Sequence, residues 1–254
     1  AKIDAVTSLK SQPRGKVWEV LGEEIIEKYI TQTASLVSNP GALRIVYTAM
    51  HGVGTETIQR VFHKAGFQSP TLVEAQAAPD PDFPTVAFPN PEEPGAIDLA
   101  LETAKAFDAH LVIANDPDAD RCAAAVKDPI SGWRMLRGDE LGAIFAESIA
   151  RKIDSGIFAN SIVSSSIVKK IADHYNLEFK ETLTGFKWLA KIENLTFGYE
   201  EALGYSVDSA TVNDKDGISA AITLAQIATD LAAQGKTLLD LLDEIWQRHG
   251  FHAT

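Results

Sequence analysis

One short stretch of this sequence, residues 111–121, constrains the fold more than any other. An apolar run, Leu-Val-Ile-Ala, is followed by Asn-Asp-Pro-Asp-Ala-Asp-Arg, so that Asp116, Asp118 and Asp120 alternate along the chain. The apolar run predicts a buried strand. Pro117 disfavours a helix directly after it, because proline lacks an N–H and restricts the residue before it. The acids are therefore expected on a loop at the carboxyl end of a strand, where open α/β sheets bind ligands.

The three carboxylates predict a site for a divalent cation. Clustered carboxylates repel one another unless a cation lies between them, and oxygen ligands suit Mg²⁺ or Ca²⁺. Arg121 follows directly and offers a planar guanidinium that suits phosphate. An EF-hand is excluded, because its loop needs glycine and glutamate where this chain has Arg121 and Lys127. Two other interpretations stay open: a solvated acidic turn, and a phosphatase with Asp116 as the nucleophile.

Three further loops carry polar side chains that suit a ligand. Thr184 and Lys187 follow a predicted strand, and a hydroxyl and an ammonium there can meet a polar ligand; a plain turn is the alternative. Glu200 and Glu201 stand between glycines and tyrosines, and paired carboxylates with aromatic neighbours suit sugar hydroxyls, although an acidic hairpin turn is equally consistent. Lys215 lies between two aspartates, where burial would tune its pKa for proton transfer, whereas a solvated lysine would do nothing.

Alternating strand and helix patterns predict an α/β protein of two consecutive three-layer α/β domains with mixed sheets and a similar plan. We predict an initial segment and linking helix over 1–38, a metal-binding domain over 39–153 and a sugar-binding domain over 154–254. Within these bounds, the pattern predicts a linking helix from 17 to 36 and a strand at 162–165.

Composition and charge limit the partners and the compartment. The formal net charge of −12 argues against nucleic acid or an anionic membrane surface as the main partner. No apolar run approaches the roughly 20 residues of a membrane span, and the start does not resemble a signal peptide. The single cysteine, Cys122, excludes an internal disulfide framework and fits a reducing compartment. A soluble, cytoplasmic protein is therefore expected.

Taken together, the loops resemble those of the α-D-phosphohexomutase superfamily, which contains the phosphoglucomutases and phosphomannomutases. Residues 116–121 look like its metal-binding loop, which more commonly has glycines between the aspartates. Residues 184–188 look like its substrate-contacting Thr-Gly turn, 200–204 like its sugar-specificity loop and 215–217 like its Lys-Asp-Gly motif. The motifs occur in the order of the family.

The resemblance implies a role for each matching residue. The implied ligands of Mg²⁺ are Asp116, Asp118 and Asp120. The implied contacts to a phosphosugar substrate are Arg121, Thr184, Lys187, Glu200 and Glu201. The implied general acid or base is Lys215. The family passes a phosphoryl group from a phosphoserine to the sugar, lets the bisphosphate reorient and takes back the other phosphate, which interconverts sugar 1-phosphate and sugar 6-phosphate.

One departure from the family pattern concerns the sugar. Ala202 stands where the hexose-specific loop usually has serine, which removes one hydroxyl contact. Residues 47–54 and 88–93 are also similar to the branch that includes the phosphopentomutases. Ribose 1-phosphate or deoxyribose 1-phosphate therefore remains open as a substrate beside glucose and mannose phosphates.

A second departure concerns completeness. The resemblance covers the middle two of the four family domains, so the N- and C-terminal domains of a parent chain are expected partners. The phosphoserine motif Thr-x-Ser-His-Asn-Pro is not found; residues 33–40 imitate it with the wrong spacing, and Ser35 is not expected to be the nucleophile. The chain is therefore expected to be an inactive mutase fragment, or else a non-catalytic module that binds Mg²⁺ or a sugar phosphate.

Overall fold

The first predicted set of strands forms one mixed sheet in the computed structural model, which describes residues 5–252. Its strands are β1 (Ile45–Thr48), β2 (Thr71–Leu72), β3 (Leu111–Asn115), β4 (Cys122–Asp128) and β5 (Gly132–Met135). Their order across the sheet is β2-β1-β3-β4-β5. The pairs of β1 with β2 and β3 are parallel, whereas β4 is antiparallel to β3 and β5.

The second set forms a smaller mixed sheet of similar plan. Its strands are β6 (Ile157–Ser161), β7 (Glu178–Thr182), β8 (Leu195–Glu200) and β9 (Gly204–Ser206). Their order is β7-β6-β8-β9. The central strand β6 is parallel to β7 and β8, and β9 returns antiparallel to β8. Two α/β/α domains with mixed sheets confirm the predicted fold class.

Helices cover both sheets. They are α1 (Glu23–Ala34), α2 (Gly54–Ala65), α3 (Glu74–Ala77), α4 (Asp98–Ala106), α5 (Gly138–Ala150), α6 (Ile167–His174), α7 (Phe186–Leu189), α8 (Gly217–Ala232) and α9 (Leu238–His249), with a 3₁₀ turn at Leu9–Ser11. Among residues 5–252, no helix is long and apolar enough to cross a bilayer.

One helix, α8, ties the two halves together, whereas α5 belongs with the second half. α5 lies before residue 153, the predicted end of the metal-binding domain, yet it packs against β8, α6 and α9 of the second half. α8 lies after that residue and packs against β3, β4 and α2 of the first half. One cluster of buried apolar side chains therefore runs through both halves.

Two predicted elements differ from the structure. The strand predicted at residues 162–165 is a turn, because β6 ends at Ser161, where its partner β7 also ends at Thr182. Ile162 and Val163, whose β-branched side chains favour a strand, are 58% and 56% exposed beyond that end. The linking helix begins at Glu23, six residues later than predicted.

Candidate active site

The acidic loop lies at the carboxyl end of β3, where the sequence predicted it. The N–H of Ala119 donates to the carbonyl oxygen of Asp116 at 2.9 Å, and Ala119 adopts a left-handed φ of 59°. This tight turn brings one carboxylate oxygen each of Asp116, Asp118 and Asp120 within 4.8 Å of one another. Asp116 is buried and Asp118 is exposed. Three convergent carboxylates with one open side fit a hard divalent cation.

Two buried side chains that the sequence analysis missed fix the base of this loop. Asn115, the last residue of β3, donates from Nδ2 to the carbonyl oxygen of Arg121 at 2.6 Å, which closes the loop. The hydroxyl of Tyr47 on β1 donates to Oδ1 of Asn115 at 2.9 Å. A polar residue that ends an apolar strand was the available signal, since a buried amide requires partners.

Arg121 lies against the acids with its guanidinium held in place. Its Nε donates to Oδ2 of Asp116 at 2.6 Å, and its main-chain N–H donates to Oδ1 at 3.0 Å. Its Nη1 donates to Oδ1 of Asn90 at 3.2 Å. The side chain is 24% exposed. Its free edge can therefore bind an anion beside the three aspartates.

Lys215 comes from the second half of the chain and pairs with the acidic loop. Its ammonium forms a salt bridge with the carboxylate of Asp120. Burial lowers the pKa of Lys215, but the bond and the charge of Asp120 outweigh it and raise the pKa above its ordinary value. The pKa of Asp120 is also raised, because burial and the neighbouring charges of Asp116 and Asp118 outweigh the lysine. The loop thus carries more negative charge than one lysine balances.

The Lys-Asp-Gly segment is positioned by the start of α8. The Asp216 side chain caps this helix by accepting from the N–H of Ile218 at 3.0 Å. The hydroxyl of Tyr29 on α1 donates to both carboxylate oxygens of Asp216 at 2.9 Å. Burial raises the pKa of Asp216. Tyr29, a further residue that the sequence did not reveal, therefore supports the turn that carries Lys215.

Main-chain contacts join the acidic loop to the predicted sugar loop. The N–H of Cys122 donates to the carbonyl oxygen of Leu203 at 3.0 Å, and Arg121 forms an isolated antiparallel bridge with Gly204. A Cβ on Gly204 would lie 2.9 Å from Cδ of Lys215, so a larger residue there would displace the lysine side chain. Residues far apart in sequence thus meet at one place between the two sheets.

The two adjacent glutamates have separate partners. Oε1 of Glu200 accepts from the N–H of Gly185 at 2.6 Å, which links β8 to the Thr-Gly turn. Oε2 of Glu201 accepts from the hydroxyls of Ser164 at 2.7 Å and Ser161 at 3.2 Å. Neither serine was predicted as a site residue, and for Ser164 the reason is that residues 162–165 were assigned to a strand. The run of three serines at 164–166 was the available signal.

Thr184 and Lys187 lie at the exposed end of this arrangement. Gly185 between them has a φ of 113°, a region that favours glycine. The Lys187 ammonium lies 5.8 Å from the ring centroid of Trp188. Within residues 5–252, Lys187 forms no ion pair, so the structure does not connect it directly to the acids.

Three other side chains of potentially reactive types have structural roles. Cys122 is fully buried, and burial raises the pKa of its thiol. The Ser35 hydroxyl donates to the carbonyl oxygen of Gln32 at 2.6 Å at the end of α1. His51 is buried, and its Nε2 lies 2.8 Å from Oγ1 of Thr85. None of these three supplies a reactive group at the acidic loop.

The chain combines two consecutive α/β/α domains with an acidic loop, an arginine and a lysine between the two sheets. A chain of this class matches the models of known protein families. Residues 26–132 match the model of phosphoglucomutase/phosphomannomutase alpha/beta/alpha domain II. Residues 137–249 match domain III. The chain therefore belongs to the phosphoglucomutase/phosphomannomutase family and carries its domains II and III.

Several relatives are named as mutases of different sugars. The chain is 46% identical to a "probable phosphomannomutase" of Haemophilus influenzae over 100% of its own length and 53% of the relative. It is 37% identical to a phosphopentomutase of Mus musculus, over 86% of its length and 38% of the relative. It is 40% identical to a phosphoribomutase of Saccharomyces cerevisiae, over 80% and 38%. The chain thus spans about half or less of the length of these relatives.

Solved structures share the fold at low sequence identity. A phosphoglucomutase/phosphomannomutase family protein of Burkholderia thailandensis has a TM-score of 0.72 at 20% identity, over 87% of this chain and 46% of that one. The Paramecium protein pp63/parafusin has a TM-score of 0.69 at 22% identity, over 90% of this chain and 41% of that one. At these identities the likeness concerns the fold alone.

Proposed function

We propose that this chain is the metal-binding and sugar-binding part of a phosphosugar mutase. The parent enzyme would interconvert sugar 1-phosphate and sugar 6-phosphate through a phosphoserine and a bisphosphorylated intermediate. The observation that carries the proposal is the contact of the acidic loop with the Glu200–Gly204 turn, through Cys122 and Leu203. It gathers cation ligands, a phosphate-binding arginine and sugar-binding acids in one place.

Each group of site residues would have a role that follows from its chemistry. Asp116, Asp118 and Asp120 would hold Mg²⁺, and the fit rests on their convergent oxygens and on the raised pKa of Asp120, which a cation would relieve. When bound, the ion withdraws charge from a phosphoryl group. A structural neighbour from Aspergillus fumigatus is described in complex with GlcNAc-6P and magnesium.

The other site residues would bind and orient the phosphosugar. Arg121 would bind phosphate oxygens through its free edge, while Glu200 and Thr184 would bind sugar hydroxyls. Glu201, fixed by its two serines, would shape the loop that Glu200 belongs to. Lys215 would act as the general acid or base toward the reacting oxygen. Although burial lowers its pKa, its salt bridge with Asp120 raises the pKa overall and favours the protonated, proton-donating form. Phosphoryl transfer depends chiefly on such positioning and charge neutralisation.

The chain alone would bind ligand without turning it over, because the phosphoserine motif of the family is not found in its sequence and the resemblance covers only two of the four family domains. The relatives are about twice as long or longer, which supports this proposal. The test is calorimetry of the Mg²⁺-loaded chain with glucose 1-phosphate, followed by an assay for glucose 6-phosphate. Binding without conversion is expected, and robust conversion by the 254-residue chain would overturn the claim of inactivity.

A pentose phosphate is the second candidate substrate. Ala202 lacks the hydroxyl of the hexose-specific loop, and several relatives are named as phosphoribomutase or phosphopentomutase. A parallel titration with ribose 1-phosphate distinguishes the two. Tighter binding of ribose 1-phosphate than of glucose 1-phosphate or mannose 1-phosphate would favour the phosphopentomutase.

A phosphatase with Asp116 as nucleophile is less well supported. Both carboxylate oxygens of Asp116 accept hydrogen bonds from Arg121, which lowers their nucleophilicity. Phosphate release from a simple ester that Asp116→Asn abolishes would nevertheless favour a phosphatase over a mutase.

A further inference from the structure

The proline-rich segment between α3 and α4 reaches the site, although neither the family resemblance nor the comparisons give it a role. Within it, residues 88–93 form a short loop that we call the Asn90 loop. Asn90 and Arg121 are 31 residues apart in sequence, and a hydrogen bond joins their side chains.

The segment is anchored at its start by buried polar side chains. The ring Nε2 of His51 lies 2.8 Å from Oγ1 of Thr85, and Nε2 of Gln76 donates to the same oxygen at 2.9 Å. Oγ1 of Thr48, at the end of β1, donates to Oε1 of Gln76 at 2.6 Å. Because His51, Gln76 and Thr48 are buried and satisfied, they hold the exposed Thr85 in place and fix where the segment leaves the sheet.

The Asn90 loop is held by hydrogen bonds within its own turns. The N–H of Asn90 donates to the carbonyl oxygen of Phe88 at 2.9 Å, and the N–H of Glu93 donates to the carbonyl oxygen of Asn90 at 3.0 Å. The side-chain Oδ1 of Asn90 accepts from the N–H of Glu92 at 3.2 Å. The position of this oxygen is therefore fixed within the loop itself, independently of Arg121.

The same oxygen accepts from Nη1 of Arg121, whose Nε is bonded to Asp116. The guanidinium is thus held at two of its three nitrogens, and its plane is defined. We propose that Asn90 is a positioning residue that fixes the Arg121 guanidinium for the phosphate group of the substrate. This inference rests on the proposed function, in which Arg121 binds phosphate.

The residue type agrees with this role. A neutral amide oxygen orients a guanidinium without cancelling its charge, whereas an aspartate would pair with the charge that attracts phosphate. Glu92 adds a carboxylate nearby: burial raises its pKa, Arg121 lowers it and Glu201 raises it again. A second full charge at position 90 would therefore weaken an anion site.

The test uses Asn90→Ala and Asn90→Asp, with Asp80→Ala as the matched control. Asp80 makes the same kind of turn bond earlier in the segment: its Oδ1 accepts from the N–H of Asp82 at 2.9 Å, and it has no hydrogen bond to Arg121. The readouts are the affinity for inorganic phosphate and ribose 1-phosphate, the melting temperature, and the side-chain Nη signals of Arg121 in NMR, assigned by their loss in Arg121→Lys.

We expect Asn90→Ala to weaken phosphate binding about fivefold, the effect of one lost hydrogen bond, and to merge the separate Nη signals. Asn90→Asp should keep separate Nη signals but still bind phosphate weakly, and the control should match the parent protein. Unchanged affinity and unchanged Nη signals in Asn90→Ala would overturn the inference. If the parent protein itself binds neither ligand, the proposed function fails, while the Nη signals still decide the role of Asn90.

Discussion

The main-chain N–H of Gly217 donates to the carbonyl oxygen of Ala119 at 3.0 Å. This bond joins the first residue of α8 to the turn of the acidic loop. A Cβ at position 217 would lie 2.2 Å from the carbonyl oxygen of Arg121 and 2.5 Å from Nδ2 of Asn115. The close approach of helix and loop therefore depends on glycine at this position.

Gly217→Ala is expected to destabilise the protein by about 3 kcal/mol, because the main chain of the loop must move to admit a methyl group. Since the movement displaces the carboxylates, Mg²⁺ affinity should fall as well. Thermal unfolding and calorimetry measure the two effects. Gly15→Ala is the control, because nothing lies within 4 Å of a Cβ at that position. Equal stability of the two variants would show that α8 does not constrain the loop.

Asp118→Ala tests the metal site with little risk to folding, because Asp118 is the exposed member of the cluster. Mg²⁺ affinity is expected to fall about tenfold or more. Without Mg²⁺ the melting temperature should stay equal or rise, because one of three repelling charges is removed. Asp243→Ala, which removes an exposed acid of α9, should bind Mg²⁺ like the parent protein. If Asp118→Ala binds equally well, the loop is an ordinary acidic turn.

Ser164→Ala tests whether Glu201 must be held for the sugar loop to work. The variant removes the 2.7 Å bond from Ser164 to Glu201 and the bond from the Glu201 N–H to Oγ at 3.1 Å. Sugar-phosphate affinity in calorimetry should fall about fivefold, and the free energy of unfolding should fall by about 1 kcal/mol. Ser166→Ala, which removes a hydroxyl near His252 instead, should leave affinity unchanged. Equal affinity of both variants would contradict the role given to Glu201.

Glu147 on α5 predicts how stability depends on pH. Its side chain is fully buried and accepts from Arg151 and Tyr175, each at 2.9 Å, and from Arg248. Burial raises its pKa, but these bonds outweigh burial and lower the pKa below its usual 4.5. Since the folded pKa is the lower one, Glu147 stabilises the protein above about pH 4.5, and this contribution is lost as the pH falls through the folded value.

Glu147→Gln should therefore lower the free energy of unfolding by about 2 to 3 kcal/mol at pH 7. This loss is smaller than for a fully buried ion pair, because the arginines are partly exposed. The cost should shrink as the pH falls below 4.5. Chemical denaturation at several pH values measures both. Asp173→Asn, in an exposed pair with Lys169, is the control and should cost less than about 0.5 kcal/mol. If Glu147→Gln lowered the free energy of unfolding equally at every pH, Glu147 would contribute to stability by packing alone.

Local sequence patterns predicted most of the helices and strands. The apolar run of β3 and the acids after it were placed correctly, because a buried strand and a proline leave little conformational choice. The error at residues 162–165 had the opposite cause. Ile162 and Val163 suit a strand locally, but the end of β6 is set by its partner β7, which the local pattern does not contain.

The supporting residues of the site were harder to predict. Tyr29, Asn90 and Ser164 act through side-chain hydrogen bonds to a site residue more than thirty residues away, at separations of 187, 31 and 37 residues. Tyrosine, asparagine and serine occur at many surface positions, so residue type alone does not distinguish them. Their roles follow only from the geometry.

The sequence by itself determined the acidic loop, because strand, proline and aspartates act within a few residues of one another. It also indicated the Thr-Gly, Glu-Glu and Lys-Asp-Gly segments as candidates. Only the tertiary structure decided that Lys215 pairs with Asp120 and that Arg121 meets Gly204. The reason is that α8 packs against elements of both halves, and such long-range packing depends on the whole apolar core.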